Sequence, residues 1–92
     1  MTELQIQCCR ACGAHWFPER LRCPTCGGSL ELVAAGAATV EEDTTLRRQQ
    51  DTRLGSVRLD VGPVVIARLD DTVTTGDRVR LDSDGAIWAR HR

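Results

Sequence analysis

Two short cysteine pairs near the N-terminus constrain this chain more than any other feature. They read Cys9-Arg10-Ala11-Cys12-Gly13 and, after a ten-residue gap between Cys12 and Cys23, Cys23-Pro24-Thr25-Cys26-Gly27. In each knuckle the tight turn aims two thiolates at one ion. The glycine lets the backbone curl so that its amides face sulfur. Two knuckles brought together close a tetrahedral site of four sulfurs, with every coordination position taken by protein. Such a site leaves no place for water or substrate, so it holds the chain together and does not catalyse.

The spacing favours a structural zinc ribbon with one Zn2+ held by Cys9, Cys12, Cys23 and Cys26. Disulfides would suit a small secreted domain, but no basic, apolar, cleavable leader precedes Cys8, so a reducing cytoplasmic setting is expected. Redox catalysis by one Cys-x-x-Cys needs a βαβ context, which the sequence does not offer. Iron is the stronger rival, because the knuckles also resemble those of rubredoxin. Rubredoxins, however, separate their knuckles by a much longer stretch and surround the iron with aromatics, so zinc is the better fit. Cys8 would have to stretch the first knuckle by one residue. It is read as a small, partly buried neighbour and a second-choice ligand.

Ninety-two residues make one compact domain or two very small ones, and residues 1–30 hold few large apolar side chains. A metal therefore supplies what the N-terminal third lacks in core. The formal charge is −1, with 12 basic and 13 acidic residues spread along the chain, and all 12 basic residues are arginine. No long basic or acidic block marks a polyanion or membrane partner, and no apolar run approaches the length of a membrane span. Trp16, Phe17 and Trp88 are the only aromatics. Two of them fall within the cysteine cluster, which leaves Val, Leu, Ile and Ala to build the remaining core.

From Ser29 onward the pattern changes to β. Leu30-Glu31-Leu32-Val33 alternates, and residues 36–40 read as its continuation after a kink at Gly36. Glu41 to Arg53 is polar apart from Leu46 and reads as a loop, or as a polar strand end with a mobile excursion. Val57, Leu59 and Val61 alternate with Arg58 and Asp60, Gly62-Pro63 breaks the run, and residues 64–69 resume it as a hairpin. Residues 78–81 form another strand, Asp84-Gly85 a tight turn, and residues 86–89 the last strand. No segment has helical periodicity. The expected fold is mainly β: an N-terminal zinc ribbon over residues 1–29, then a small five-stranded OB-fold barrel over residues 30–92.

The knuckles, the intervening Phe17-Pro18-Glu19-Arg20, and a barrel carrying Thr75-Gly76-Asp77-Arg78-Val79-Arg80-Leu81 together resemble the DUF35 proteins. These are zinc-ribbon/OB-fold proteins associated with acyl-CoA enzymes, and the resemblance runs from Cys9 to about Trp88. It implies a non-catalytic accessory subunit in a hetero-oligomer with a thiolase-fold or other acyl-CoA enzyme, and leaves CoA as a candidate contact. It also implies that Cys9, Cys12, Cys23 and Cys26 are the metal ligands, and that Phe17, Pro18 and Arg20 brace the ribbon. The sequence departs from the family pattern twice. Only eight residues precede Cys9, where family members usually carry a helical docking extension. The segment from Glu41 to Arg53 lacks the proline and aromatics common there in the family.

Nothing else in the sequence forms a catalytic set. His15 lies between the knuckles with no acid or nucleophile nearby in sequence, and His91 is expected to fray at the C-terminus. Asp70-Asp71 reads as a turn, because adjacent strand-end residues point in opposite directions. Thr44-Thr45 and Thr74-Thr75 read as turn or strand-edge pairs. Arg47, Arg48 and Arg53 are the candidates for CoA phosphates, since guanidinium forks suit phosphate oxygens. Against that stands a solvated loop face balanced by Glu41, Glu42, Asp43 and Asp51. Trp16 and Trp88 are read first as packing residues and second as partner anchors. The competing binding class is a nucleic-acid module. The strands from Val57 to Leu69 argue against it, because they carry no aromatic on which bases could stack.

Overall fold

The computed structural model describes residues 2–46 and 52–91 and contains, among them, nine strands and no helix. The strands are β1 (Thr2–Glu3), β2 (Gln5–Cys9), β3 (His15–Trp16), β4 (Leu30–Ala34), β5 (Ala37–Leu46), β6 (Thr52–Leu59), β7 (Val64–Leu69), β8 (Arg78–Ser83) and β9 (Ile87–His91). A three-stranded antiparallel sheet in the order β3-β2-β4 forms the ribbon. The second sheet runs β1-β8-β5-β6-β7-β9, and pairing of β8 with β9 closes it into a five-stranded barrel. All barrel pairs are antiparallel except β7–β9, which is parallel. That connectivity is the Greek-key order of an OB-fold.

Period-2 alternation fills the barrel. Val57 and Leu59 on β6, Val65, Ala67 and Leu69 on β7, Val79 and Leu81 on β8, and Ala89 on β9 all point inward and are buried. Ala38 and Val40 complete the ring from β5, and Val73 enters from the β7–β8 connector. Each of the larger side chains contributes about 1.5–3 kcal/mol by leaving water. With so few aromatics the core is aliphatic, and Phe17 reaches it from the ribbon side.

The strand from Leu30 was expected to open the barrel. Instead it pairs along its length with β2 in the ribbon sheet, Leu30 opposite Cys9 and Ala34 opposite Gln5. The change of sheet falls at Ala35–Gly36, where Gly36 adopts φ +77°, not after residue 29. Leu4 and Ala35 stitch the two sheets together. The Leu4 amide donates to the Leu81 carbonyl at 2.8 Å, and the Ala35 amide donates to the Leu4 carbonyl at 2.9 Å. Both residues belong to the barrel's core cluster.

Two further expectations need correction, and one alternative is decided. Of the two readings of residues 41–53, the described residues 41–46 and 52–53 take the polar strand end, where β5 and β6 extend as a paired arm with Leu46 opposite Thr52. Past a register shift between Val40 and Glu42 the β5 residues 41–44 are exposed, while Gly55 on β6 stays buried against Leu69. Exposed positions need no apolar alternation, so the periodic signal fades while the ladder continues. Val61 lies in the turn before Pro63, not in the strand. His91 is not frayed: it pairs with Val79 in β9, and its Nε2 lies 2.9 Å from the Thr72 carbonyl oxygen.

The Thr75-Gly76-Asp77 turn is tied to β5 from both sides. Gly76, at φ +92°, donates its amide to the Val40 carbonyl, and the Val40 amide donates to the Asp77 carbonyl. The Asp77 carboxylate accepts from the Thr74 amide at 2.9 Å.

Candidate metal centre

The first knuckle begins where β2 ends. The Cys9 amide donates to the Ala14 carbonyl at 2.8 Å, which turns the chain back into β3. The Gly13 amide donates to the Cys9 carbonyl at 2.9 Å, and the Cys12 amide lies 3.4 Å from Cys9 Sγ. Gly13 sits at φ +78°, a region that costs a side-chain-bearing residue free energy. The second knuckle repeats the device, with the Gly27 amide on the Cys23 carbonyl at 2.8 Å and Gly27 at φ +75°. A bond from the Arg10 amide to the Ser29 carbonyl, 3.1 Å, ties one knuckle to the other.

This geometry gathers the four expected sulfurs. Cys9, Cys12, Cys23 and Cys26 place their Sγ atoms within 4.8 Å of one another. Two pairs cross between knuckles, Cys9 to Cys26 at 3.5 Å and Cys12 to Cys23 at 3.6 Å. A tetrahedron with metal–sulfur bonds of about 2.3 Å has edges of roughly 3.8 Å, so the four sulfurs fit a tetrahedral ion. The first cysteine of each knuckle is buried and the second exposed. The centre therefore lies at the tip of the ribbon with one side toward solvent.

The electrostatics of the cluster favour a cation. Burial opposes ionisation of Cys23, but the Cys26 and Thr25 amides aimed at its sulfur outweigh this and lower its pKa to about 6. Cys9 is also lowered, chiefly by the Cys12 amide. The Ala14 amide favours the Cys12 thiolate, but the sulfurs of Cys9 and Cys23 prevail and push Cys12 up to about 12. For Cys26 the Gly28 amide acts in the same favourable sense, and the Cys9 sulfur overrides it to raise the pKa. Thiolates this close ionise together only when positive charge sits among them.

Two residues of the site escaped sequence reasoning. A Cβ on Gly28 would meet Ala11 Cβ at 3.0 Å, Cys9 Sγ at 3.1 Å and Cys26 Sγ at 3.3 Å. A side chain there would press on two ligand sulfurs as the second knuckle closes on the first, and the Gly27-Gly28 doublet was the available signal. Gln7 is the other. Its side-chain amide accepts from the Arg20 amide at 2.6 Å and donates to the Arg20 carbonyl at 3.0 Å, pinning the inter-knuckle segment to β2. Of the expected braces, Phe17 packs against the core, while Arg20 is held through its main chain.

The remaining candidates take ordinary places. Cys8 points its sulfur at the Cys9 and Gly13 carbonyls, 3.7 and 4.0 Å away, and lies outside the four-sulfur cluster. His15 pairs with Cys8 across β2–β3. Arg47, Arg48 and Asp51 lie outside the described residues. Arg53 is committed internally and is not free for a phosphate. Its guanidinium donates to the carbonyls of Val73 at 2.6 Å, Asp71 at 3.3 Å and Asp70 at 3.4 Å, and it lies 3.6 Å from the Asp43 carboxylate. Trp88 is half-buried, with the guanidinium carbons of Arg68 and Arg90 at 5.9 and 5.4 Å from its ring centroid. Among the described residues no helix is long and apolar enough to cross a membrane.

Comparison with known proteins agrees with this architecture. Residues 3–33 match the family model of the ChsH2 rubredoxin-like zinc ribbon domain. No curated protein matches the chain. Among solved structures, an Ltp2-ChsH2(DUF35) aldolase is similar to this chain with a TM-score of 0.74 and 23% identity, covering 97% of this chain and 84% of that one. The chain thus joins a ribbon of the ChsH2 type to a five-stranded OB barrel, the zinc-ribbon and OB-fold architecture of the DUF35 proteins.

Proposed function

We propose that this chain is a non-catalytic accessory subunit of a thiolase-fold or related acyl-CoA enzyme, held in shape by one structural Zn2+ on Cys9, Cys12, Cys23 and Cys26. The observation that carries the reading is the pairing of a ChsH2-type ribbon with whole-chain likeness to an Ltp2-ChsH2(DUF35) aldolase. The four-sulfur cluster supports the structural half. Four protein sulfurs fill a tetrahedral ion's sphere, so the metal organises the ribbon and leaves no position for an attacking water. The four thiolates hold the ion, and the knuckle amides stabilise their charge. Acyl-CoA chemistry then belongs to the partner, in a complex that forms in the cytoplasm. The nucleic-acid reading is disfavoured by the outer face of β6 and β7. There Leu54, Ser56, Arg58, Val64, Ile66 and Arg68 offer no ring for a base to stack on.

Co-expression of the tagged chain with thiolase-fold subunits encoded in the same genome, followed by native mass spectrometry and metal quantification, tests the proposal. The expected species contains this chain, one zinc per copy and one enzyme subunit type. A 10.1 kDa chain that stays alone with every such subunit, or that binds iron in place of zinc, refutes it.

A further inference from the structure

We infer that the chain docks its enzyme through the outer face of β6 and β7, presenting an apolar strip to an apolar partner patch and Arg68 to a partner carboxylate. This rests on the accessory-subunit reading and deepens it by naming the surface.

The ladder brings Ser56 opposite Ile66, Arg58 opposite Val64, and Leu54 opposite Arg68, and Arg68 in turn lies opposite Trp88 on β9. Alternation buries Val65, Ala67 and Leu69 and turns Val64, Ile66 and Arg68 to solvent. Ile66 is 60% exposed and Val64 41% exposed, on neighbouring positions of one strand face. Beside Ile66 lies a shallow depression of about 100 Å3 lined by Glu42, Thr44, Leu54, Gly55 and Ser56. Two β-branched aliphatics beside a dimple, with a polar rim, make the pattern of a surface that is covered in the working assembly.

Charge specifies what covers it. On the described barrel strands every other arginine has a carboxylate: Arg53 has Asp43, Arg58 has Glu41, Arg78 has Asp60, and Arg80 and Arg90 share Asp82. Arg68 has no carboxylate partner among the described residues, yet it is held over the Trp88 ring. A guanidinium ordered by an aromatic ring and left without a counter-charge is prepared for an acid brought by another molecule, and loses little freedom when it binds. Arginine and tryptophan are also the side chains that dominate interface energies. A nucleic acid would need stacking rings on this face. The one ring at its border, Trp88, is already flanked by two guanidinium groups.

The test measures affinity between the full chain, zinc-loaded, and the thiolase-fold subunit that co-purifies with it, by calorimetry, for wild type, Ile66→Glu and Arg68→Glu. Both side chains face solvent, so zinc content is expected to match wild type in each variant and the barrel to stay folded, with Arg68→Glu giving up only its contact with the Trp88 ring. Each variant is expected to weaken binding about tenfold or more, and the wild-type affinity is expected to fall with added salt. Wild-type affinity in Ile66→Glu at unchanged fold overturns the docking face and leaves the accessory role standing. Failure of the wild-type chain to bind any such subunit overturns both. A wild-type chain that self-associates, and becomes monomeric with Ile66→Glu, assigns the face to a second copy and overturns the inference.

Discussion

Arg53→Ala tests whether this side chain is a structural plug or a ligand-binding arm. In the structure its guanidinium closes one end of the barrel by donating to three carbonyls of the β7–β8 connector. Only the bond to Val73, at 2.6 Å, is short; those at 3.3 and 3.4 Å are weak. A hydrogen bond from a charged donor is worth about 1.5–3 kcal/mol. The Asp43 pair, 3.6 Å apart with side chains 24% and 36% exposed, adds less than about 1 kcal/mol. Truncation should therefore cost about 2 kcal/mol. For a domain of this length that lowers the thermal midpoint by roughly 10 °C. The assay is thermal unfolding by circular dichroism with zinc saturating, so that metal loss does not mix with barrel unfolding. Arg53→Lys is expected to fall between, because an ammonium keeps the charge but cannot fork across several carbonyls. A midpoint within about 2 °C of wild type in Arg53→Ala would refute the plug, and loss of CoA binding at that unchanged stability would restore the phosphate-binding role.

Chelation of the metal should disorder the ribbon while the barrel keeps its β signal. Replacing any of Cys9, Cys12, Cys23 or Cys26 with serine should abolish stoichiometric zinc, whereas Cys8→Ser should retain it, both read by metal analysis. Gly28→Ala should weaken zinc retention against a competing chelator, since its Cβ would press on two ligand sulfurs at 3.1 and 3.3 Å. Acidification should release zinc as the sulfurs take up protons. In the metal-free chain Cys23, depressed from 9.0 to about 6, contributes stability that is full above about pH 9 and is lost progressively as pH falls to about 6, read as the pH dependence of the thermal midpoint; zinc release itself is followed with a chromogenic chelator. Leu81→Ala, at a fully buried position, should cost about 2–5 kcal/mol in denaturant unfolding.

The four-sulfur cluster was legible in one dimension because a knuckle is a local object. Cysteine spacing and the following glycine determine where two sulfurs point, and few arrangements accept two knuckles ten residues apart. The barrel core was legible for a related reason: Val57, Leu59, Val65, Leu69, Val79 and Leu81 alternate with polar residues, and that period leaves the strand no choice of inner face. Local patterning says which face of a strand is buried but not which strand lies beside it. Leu30–Ala34 alternates equally well for either sheet, and only the pairing with β2 and the stitch through Leu4 and Ala35 assigned it to the ribbon. The polar arm of β5 and β6 was ambiguous between strand and loop for the converse reason: residues 41–44 are exposed, and their pairing rests on backbone bonds that carry no side-chain signature. Likewise Arg53, at its place in the chain, reads as one more solvated charge. Its three carbonyl acceptors lie 17 to 20 residues away and meet it only when the barrel closes. Long-range closure also placed Arg68 over the Trp88 ring and Gly28 against two sulfurs, because both depend on distances between segments that sequence order alone does not specify.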